Sequence, residues 1–132
     1  MTRALNLIFV STDTGLLQHW QHALDRRVAT VVSQFSEIPQ STSSAMTMIW
    51  VDLSLHDLPA WTHPRWTLWL TNPKFKVVAA SSNPNDEQAI PALDAGCSAY
   101  CHAFADPVTL LQVKEVVQSG HVWVGPTLMQ RL

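Results

Sequence analysis

No apolar run in this sequence approaches the roughly 20 residues that a membrane-crossing helix needs, and the N-terminus lacks a basic patch followed by a long apolar core. These absences point to the cytosol. Charge is scarce too: 14% of residues are charged, the net charge is -2, and the eight Lys and Arg are scattered. Direct nucleic-acid binding wants a basic stripe, so this stretch is not expected to grip a phosphate backbone by itself. Only four glycines occur, and no Gly-rich loop follows the first strand-like segment, which counts against a cofactor enzyme that cradles phosphate there. Cysteine is limited to Cys97 and Cys101. Two thiols beside His102, from one turn and strand, do not make a four-ligand zinc set, so reduced, buried thiols are expected.

What is abundant is core material. Apolar residues make up 47% of the 132, enough for one compact domain and no second. The run Met48-Ile49-Trp50-Val51-Asp52 is apolar and ends abruptly on a carboxylate. Such a run reads as a strand buried on both faces, hence part of a parallel sheet, with Asp52 at the carboxyl edge where ligands and chemistry collect in open α/β sheets. Further strands are expected at Leu5–Val10, Val28–Val32, Lys76–Ala80 and Ala99–His102.

Helical spacing of Leu16, Leu17, Trp20, Ala23 and Leu24 predicts a helix after Gly15, to about Arg26. The polar stretch from Ser33 to Thr47 allows only a short helix. Three prolines, Pro59, Pro64 and Pro73, confine the next to about Pro64–Leu70, with Trp61, Trp66 and Trp69 read as core. Gly96 stops the following helix, which Pro91 either kinks or delays to near Ile90. The last opens at Asp106-Pro107 and ends at Gly120. Strict alternation of strands and helices implies a doubly wound parallel sheet, of which the flavodoxin-like order 2-1-3-4-5 is a common form. The strand ending at Asp52 should be central, with the first and last helices on one face and the middle three on the other.

Val51-Asp52-Leu53-Ser54-Leu55, Ser81 at the end of the fourth strand, and Ala95-Gly96-Cys97-Ser98-Ala99-Tyr100 together resemble bacterial response-regulator receiver domains (CheY-like), over essentially the whole chain. The resemblance implies that Asp52 is the phosphoacceptor position, that Ser81 is the hydroxyl that meets the phosphoryl group, and that Tyr100 is the switch aromatic of the fifth strand. The departures are equally plain. Ser11 and Thr12 stand where receivers carry an acidic Mg²⁺-holding pair, leaving Asp13 nearby, and Ala103 stands where they carry a charge-neutralising lysine. His56 and Ala60 replace a proline and a glycine.

Phosphoryl transfer depends on metal and cationic side chains to neutralise charge, so a pocket without them is degenerate. The expected function is therefore a receiver-like module of two-component or phosphorelay signalling, not an enzyme, that controls an output by protein contact and needs no cofactor. The alternative is a working phosphoacceptor, phosphorylated at Asp52 by a histidine kinase, with Mg²⁺ held unusually by Asp13 and Asp52. Receivers commonly pair, which implies a homodimer, with Trp20 on the first helix as candidate anchor.

Residues 1–120 are read as the receiver-like domain and 121–132 as a linker. His121-Val122-Trp123-Val124-Gly125-Pro126 and the residues after it resemble the lead into the DNA-binding output of LuxR-type regulators. Val122, Trp123 and Val124 are expected to pack back on the domain, with a short helix opening at Pro126.

Overall fold

The computed structural model describes residues 5–24, 29–39 and 46–124. In chain order the elements are β1 (Leu5–Val10), α1 (Thr14–Ala23), β2 (Ala29–Val32), a 3-10 turn (Phe35–Glu37), β3 (Met46–Asp52), α2 (Pro64–Leu70), β4 (Phe75–Ser81), α3 (Asp86–Ala95), β5 (Ala99–His102) and α4 (Pro107–Gln118). All five strands are parallel, in the order β2-β1-β3-β4-β5, so β3 is central as its composition requires. Along β3 the side chains alternate between two cores. Ile49 and Val51 join the cluster under the 3-10 turn, α2 and α3, whereas Met48 and Trp50 join the one under α1 and α4. A strand apolar at consecutive positions has this outcome when both faces are covered.

Helix boundaries follow from capping groups. Asp13 caps α1 by accepting from Leu16 N (3.1 Å), His63 caps α2 through Nδ1 accepting from Arg65 N (3.1 Å), and Asp106 caps α4 by accepting from Thr109 N (2.8 Å). Pro64 and Pro107 sit in first turns, where a missing N–H costs nothing. The exit from α4 is a Schellman turn: Gly120 N donates to Val117 O, His121 N to Val116 O, and Gly120 takes φ +90°.

Among the described residues between β2 and β3, the short helix allowed there is one 3-10 turn. Three sequence expectations need correction. The helix containing Pro91 does not wait until Ile90 but starts at Asp86, because Asn85 caps it through Gln88 N at 2.8 Å. Pro91 is exposed, so the carbonyl its ring frees, that of exposed Glu87, can meet water. Trp20 is no interface anchor: it is fully buried, and its Nε1 donates to Ala103 O (2.9 Å). Val122, expected to pack back, is 58% exposed, although Trp123 and Val124 do pack against the domain. The expected strand start at Val28, the end of the first helix near Arg26 and the helix opening at Pro126 lie outside the described residues.

Trp66 and Trp69 are core, with Trp61 half-buried against Trp66 at 4.6 Å between ring centroids. Their indole N–H groups reach back to loops, Trp66 to Pro59 O (3.1 Å) and Trp69 to Pro39 O (3.2 Å). Arg65 lies over the rings of Phe35 and Trp69 and donates to Ile38 O (3.2 Å), tying the 3-10 turn to α2. No helix among the described residues is long and apolar enough to cross a membrane.

Candidate functional site at the carboxyl edge of the sheet

Parallel strands end together, so the carboxyl edge collects the residues following β1, β3, β4 and β5. Asp52 ends β3 with 3% of its surface exposed. Burying a carboxylate is costly unless its oxygens are hydrogen-bonded, and here both are. Ser11, itself 1% exposed, donates its hydroxyl to Asp52 Oδ2 at 2.7 Å. Ser54 donates both its hydroxyl (2.6 Å) and its backbone N–H (3.0 Å) to Oδ1. Among the described residues no Lys or Arg pairs with Asp52. The first oxygen is held across strands by β1, and the second locally by the turn that opens after β3.

The other expected residues divide. Ser11 meets Asp52 directly, and its oxygen also accepts from Asp13 N (3.0 Å). The Asp13 carboxylate is occupied as the α1 cap, and Thr12 is exposed. Ser81 is buried at the end of β4, where its hydroxyl accepts from Asn83 N (3.1 Å) and its carbonyl from Ala103 N (2.8 Å). Ala103 is fully buried, its methyl group in the α1–α4 core. Tyr100 is 5% exposed, and its hydroxyl accepts from Asn85 N (3.1 Å) and donates to Gln88 Oε1 (2.7 Å).

A small hard dication such as Mg²⁺ wants several charged oxygens in near-octahedral array. This edge offers one buried carboxylate whose oxygens are engaged by serines and a second carboxylate committed to a helix cap. No group of three or more His, Cys, Asp or Glu among the described residues could hold a metal ion. The donor set does not fit Mg²⁺. Asp52 retains nucleophilic oxygens, but using one means breaking a serine hydrogen bond without a cation to neutralise the arriving charge.

Cys97 and Cys101 are free and buried in opposite cores, and burial pushes each thiol up to about 12. Both stay protonated at neutral pH and are poor nucleophiles.

Sequence reasoning did not single out Ser54, Asn85 or Gln88. For Ser54 a signal existed: an Asp followed two residues later by a residue with a free N–H is an Asx-turn pattern, and a hydroxyl at that place can bond the same oxygen. Gln88 carried none, since its bond to Tyr100 depends on where α3 begins.

No protein-family model matches the sequence, and no curated protein matches it. Solved structures do. The non-phosphorylated receiver domain of the stress response regulator RcsB from Escherichia coli superposes with a TM-score of 0.70 at 14% identity, over 93% of this chain and 99% of that one. A LuxR family DNA-binding response regulator from Silicibacter pomeroyi gives 0.67 at 16%, over 92% and 98%. The response regulator DrrB from Thermotoga maritima, an OmpR/PhoB homolog, gives 0.67 at 15%, over 92% of this chain but 55% of its own length. With its five-stranded parallel sheet in the order 2-1-3-4-5, the chain has the fold of response-regulator receiver domains.

Proposed function

We propose that this chain is a receiver-type module of two-component signalling that acts by protein contact, with Asp52 held by serines instead of serving as an efficient phosphoacceptor. One observation carries the reading: the Ser11 hydroxyl donates to Asp52 Oδ2 at 2.7 Å, from the position where the resemblance calls for a metal-binding acid. Ala103 supports it, because a buried methyl group stands where a cation is called for. On this reading the module is cytosolic, residues 1–120 form the signalling unit and 121–132 the linker. Its partners are a second copy or a signalling protein, and its output is a DNA-binding region beyond the linker. The LuxR family relative, described as DNA-binding, supports that output. Sequencing the gene past Leu132 tests it: a basic helical region is expected, and a stop codon there removes the output.

The test of the site is incubation with a small phosphodonor and Mg²⁺, followed by intact mass. No stable phosphoryl adduct is expected on the unmodified chain. Robust modification lost in Asp52→Asn would instead establish the working phosphoacceptor. Ser11→Asp with Thr12→Asp and Ala103→Lys should raise Mg²⁺ affinity and reactivity.

A further inference from the structure

The hydrogen bonds at the carboxyl edge continue past β5 into the segment that leaves the domain. Ser81 Oγ accepts from Asn83 N (3.1 Å), the Asn83 carbonyl accepts from Asn85 Nδ2 (3.0 Å), and Asn85 N donates to the Tyr100 hydroxyl (3.1 Å). Tyr100 then uses its other end. Its backbone N–H donates outward from the sheet edge to Trp123 O (3.3 Å), while Trp123 N donates to Ser98 O (2.9 Å). Ala99 and Trp123 form one isolated parallel bridge, so the tail lies beside β5 at that residue. Trp123 packs against the α1–α4 core and the next residue, Val124, against the opposite one. Two consecutive side chains thus clip over the edge of the sheet.

We propose that residues 121–124 are a latch on β5 whose hold is set by Tyr100, coupling the corner between β4 and α3 to the chain that leaves the domain. The proposal deepens the functional reading above and rests on it, since it names how a change at the Asp52 edge reaches an output. Tyr100 is one residue fixed at two ends: α3's first turn holds its phenol, and the tail holds its amide. Its ring is buried, and packed side chains have few alternative rotamers. Withdrawing the hydroxyl strands the Asn85 N–H and the Gln88 side chain, and the ring can follow only if the backbone at 98–100 adjusts. That backbone is what holds Trp123. The two hydrogen bonds of that single bridge are a small hold, of the kind that local opening breaks at low cost. A coupling of this kind is reciprocal.

Amide hydrogen exchange on the full 132-residue chain, resolved by NMR, tests it. Tyr100→Phe deletes only the hydroxyl, and the Trp123 amide should then exchange about fivefold faster or more, together with that of Asn85. Trp123→Phe should speed Asn85 by a similar factor. Gln88→Leu, which leaves the phenol in place, should speed Trp123 in the same direction by less, and it carries the test if Tyr100→Phe does not fold. Trp123 exchange that stays within about twofold of the unmodified chain, whether or not Asn85 accelerates, overturns the latch. The measurement uses no phosphodonor. Phosphorylation of Asp52 would overturn the functional reading alone, and unchanged Trp123 protection would overturn the latch alone.

Discussion

The two faces of the sheet are covered by opposite means. On one, α1 and α4, of 10 and 12 residues, each bury an aliphatic or aromatic stripe at helical spacing: Leu16, Trp20 and Ala23, then Leu110, Val113 and Val117. On the other lie a 3-10 turn, the 7-residue α2 and a helix with a proline inside it. A helix as short as α2 has no stability of its own. Interlocked rings replace the missing stripe there, with centroids 4.8 Å apart for Phe35 and Trp66, 5.4 Å for Phe35 and Trp69, and 5.7 Å for Trp66 and Trp69. Where prolines cut helices short, large side chains whose N–H groups also pin the loops take over the work of periodicity.

The sharpest way to break this contrast is to remove one anchor from each face. Trp69→Ala deletes a ring that touches Phe35, Trp66 and Arg65 and strands the Pro39 carbonyl, and should cost about 3–5 kcal/mol in urea unfolding. Leu110→Ala on the other face should cost about 2–5 kcal/mol, at the lower end because its stripe has other members. If Leu110→Ala proved the costlier by more than about 1 kcal/mol, the aromatic face would not be the one that depends on single anchors.

A smaller effect is expected for Trp20→Phe. This keeps most of the apolar volume on the α1–α4 face but leaves the Ala103 carbonyl without its donor, at about 1–2 kcal/mol in the same assay. Loss of a few tenths only would mean that the face is held by burial alone.

The smallest effect concerns the cap of α4. Accepting from the Thr109 backbone N–H, and then from its hydroxyl, lowers the Asp106 carboxyl below its usual range. A lowered carboxylate stabilises the fold above its unfolded pKa of about 4 and loses that contribution as pH falls through the folded value. Asp106→Asn keeps a capping oxygen without the titration. Its melting temperature should therefore fall slightly less than that of the unmodified chain below about pH 4, and the difference should shrink in salt, since Asp106 is fully exposed. Identical pH profiles would remove any electrostatic role for this cap.

What the sequence disclosed follows the range of the interactions concerned. Strands such as Leu5–Val10 and Ala99–His102, and the helix Pro64–Leu70, were readable because local composition and proline chemistry decide them. The division of helices between the faces was readable from alternation. The start of α3 was not, because the cost of Pro91 is visible in the sequence while the offsetting cap from Asn85 and the solvent-side exposure of the ring depend on the fold. At the site, Asp52 was legible as a carboxylate at a strand end, whereas Ser11, Ser81 and Tyr100 were picked out only through the resemblance to receivers. Their partners were not: that Ser11 faces Asp52 across 41 residues of sequence is a matter of sheet order.

Gly120 turns the end of a helix into a heading that brings the chain to the edge of β5. Successive residues of an extended chain point to opposite sides, and Trp123 and Val124 sit in opposite cores. Sliding the pair along by one residue would offer each side chain the slot shaped for the other, an indole where an isopropyl group fits and the reverse. The seat is keyed by side as well as by shape.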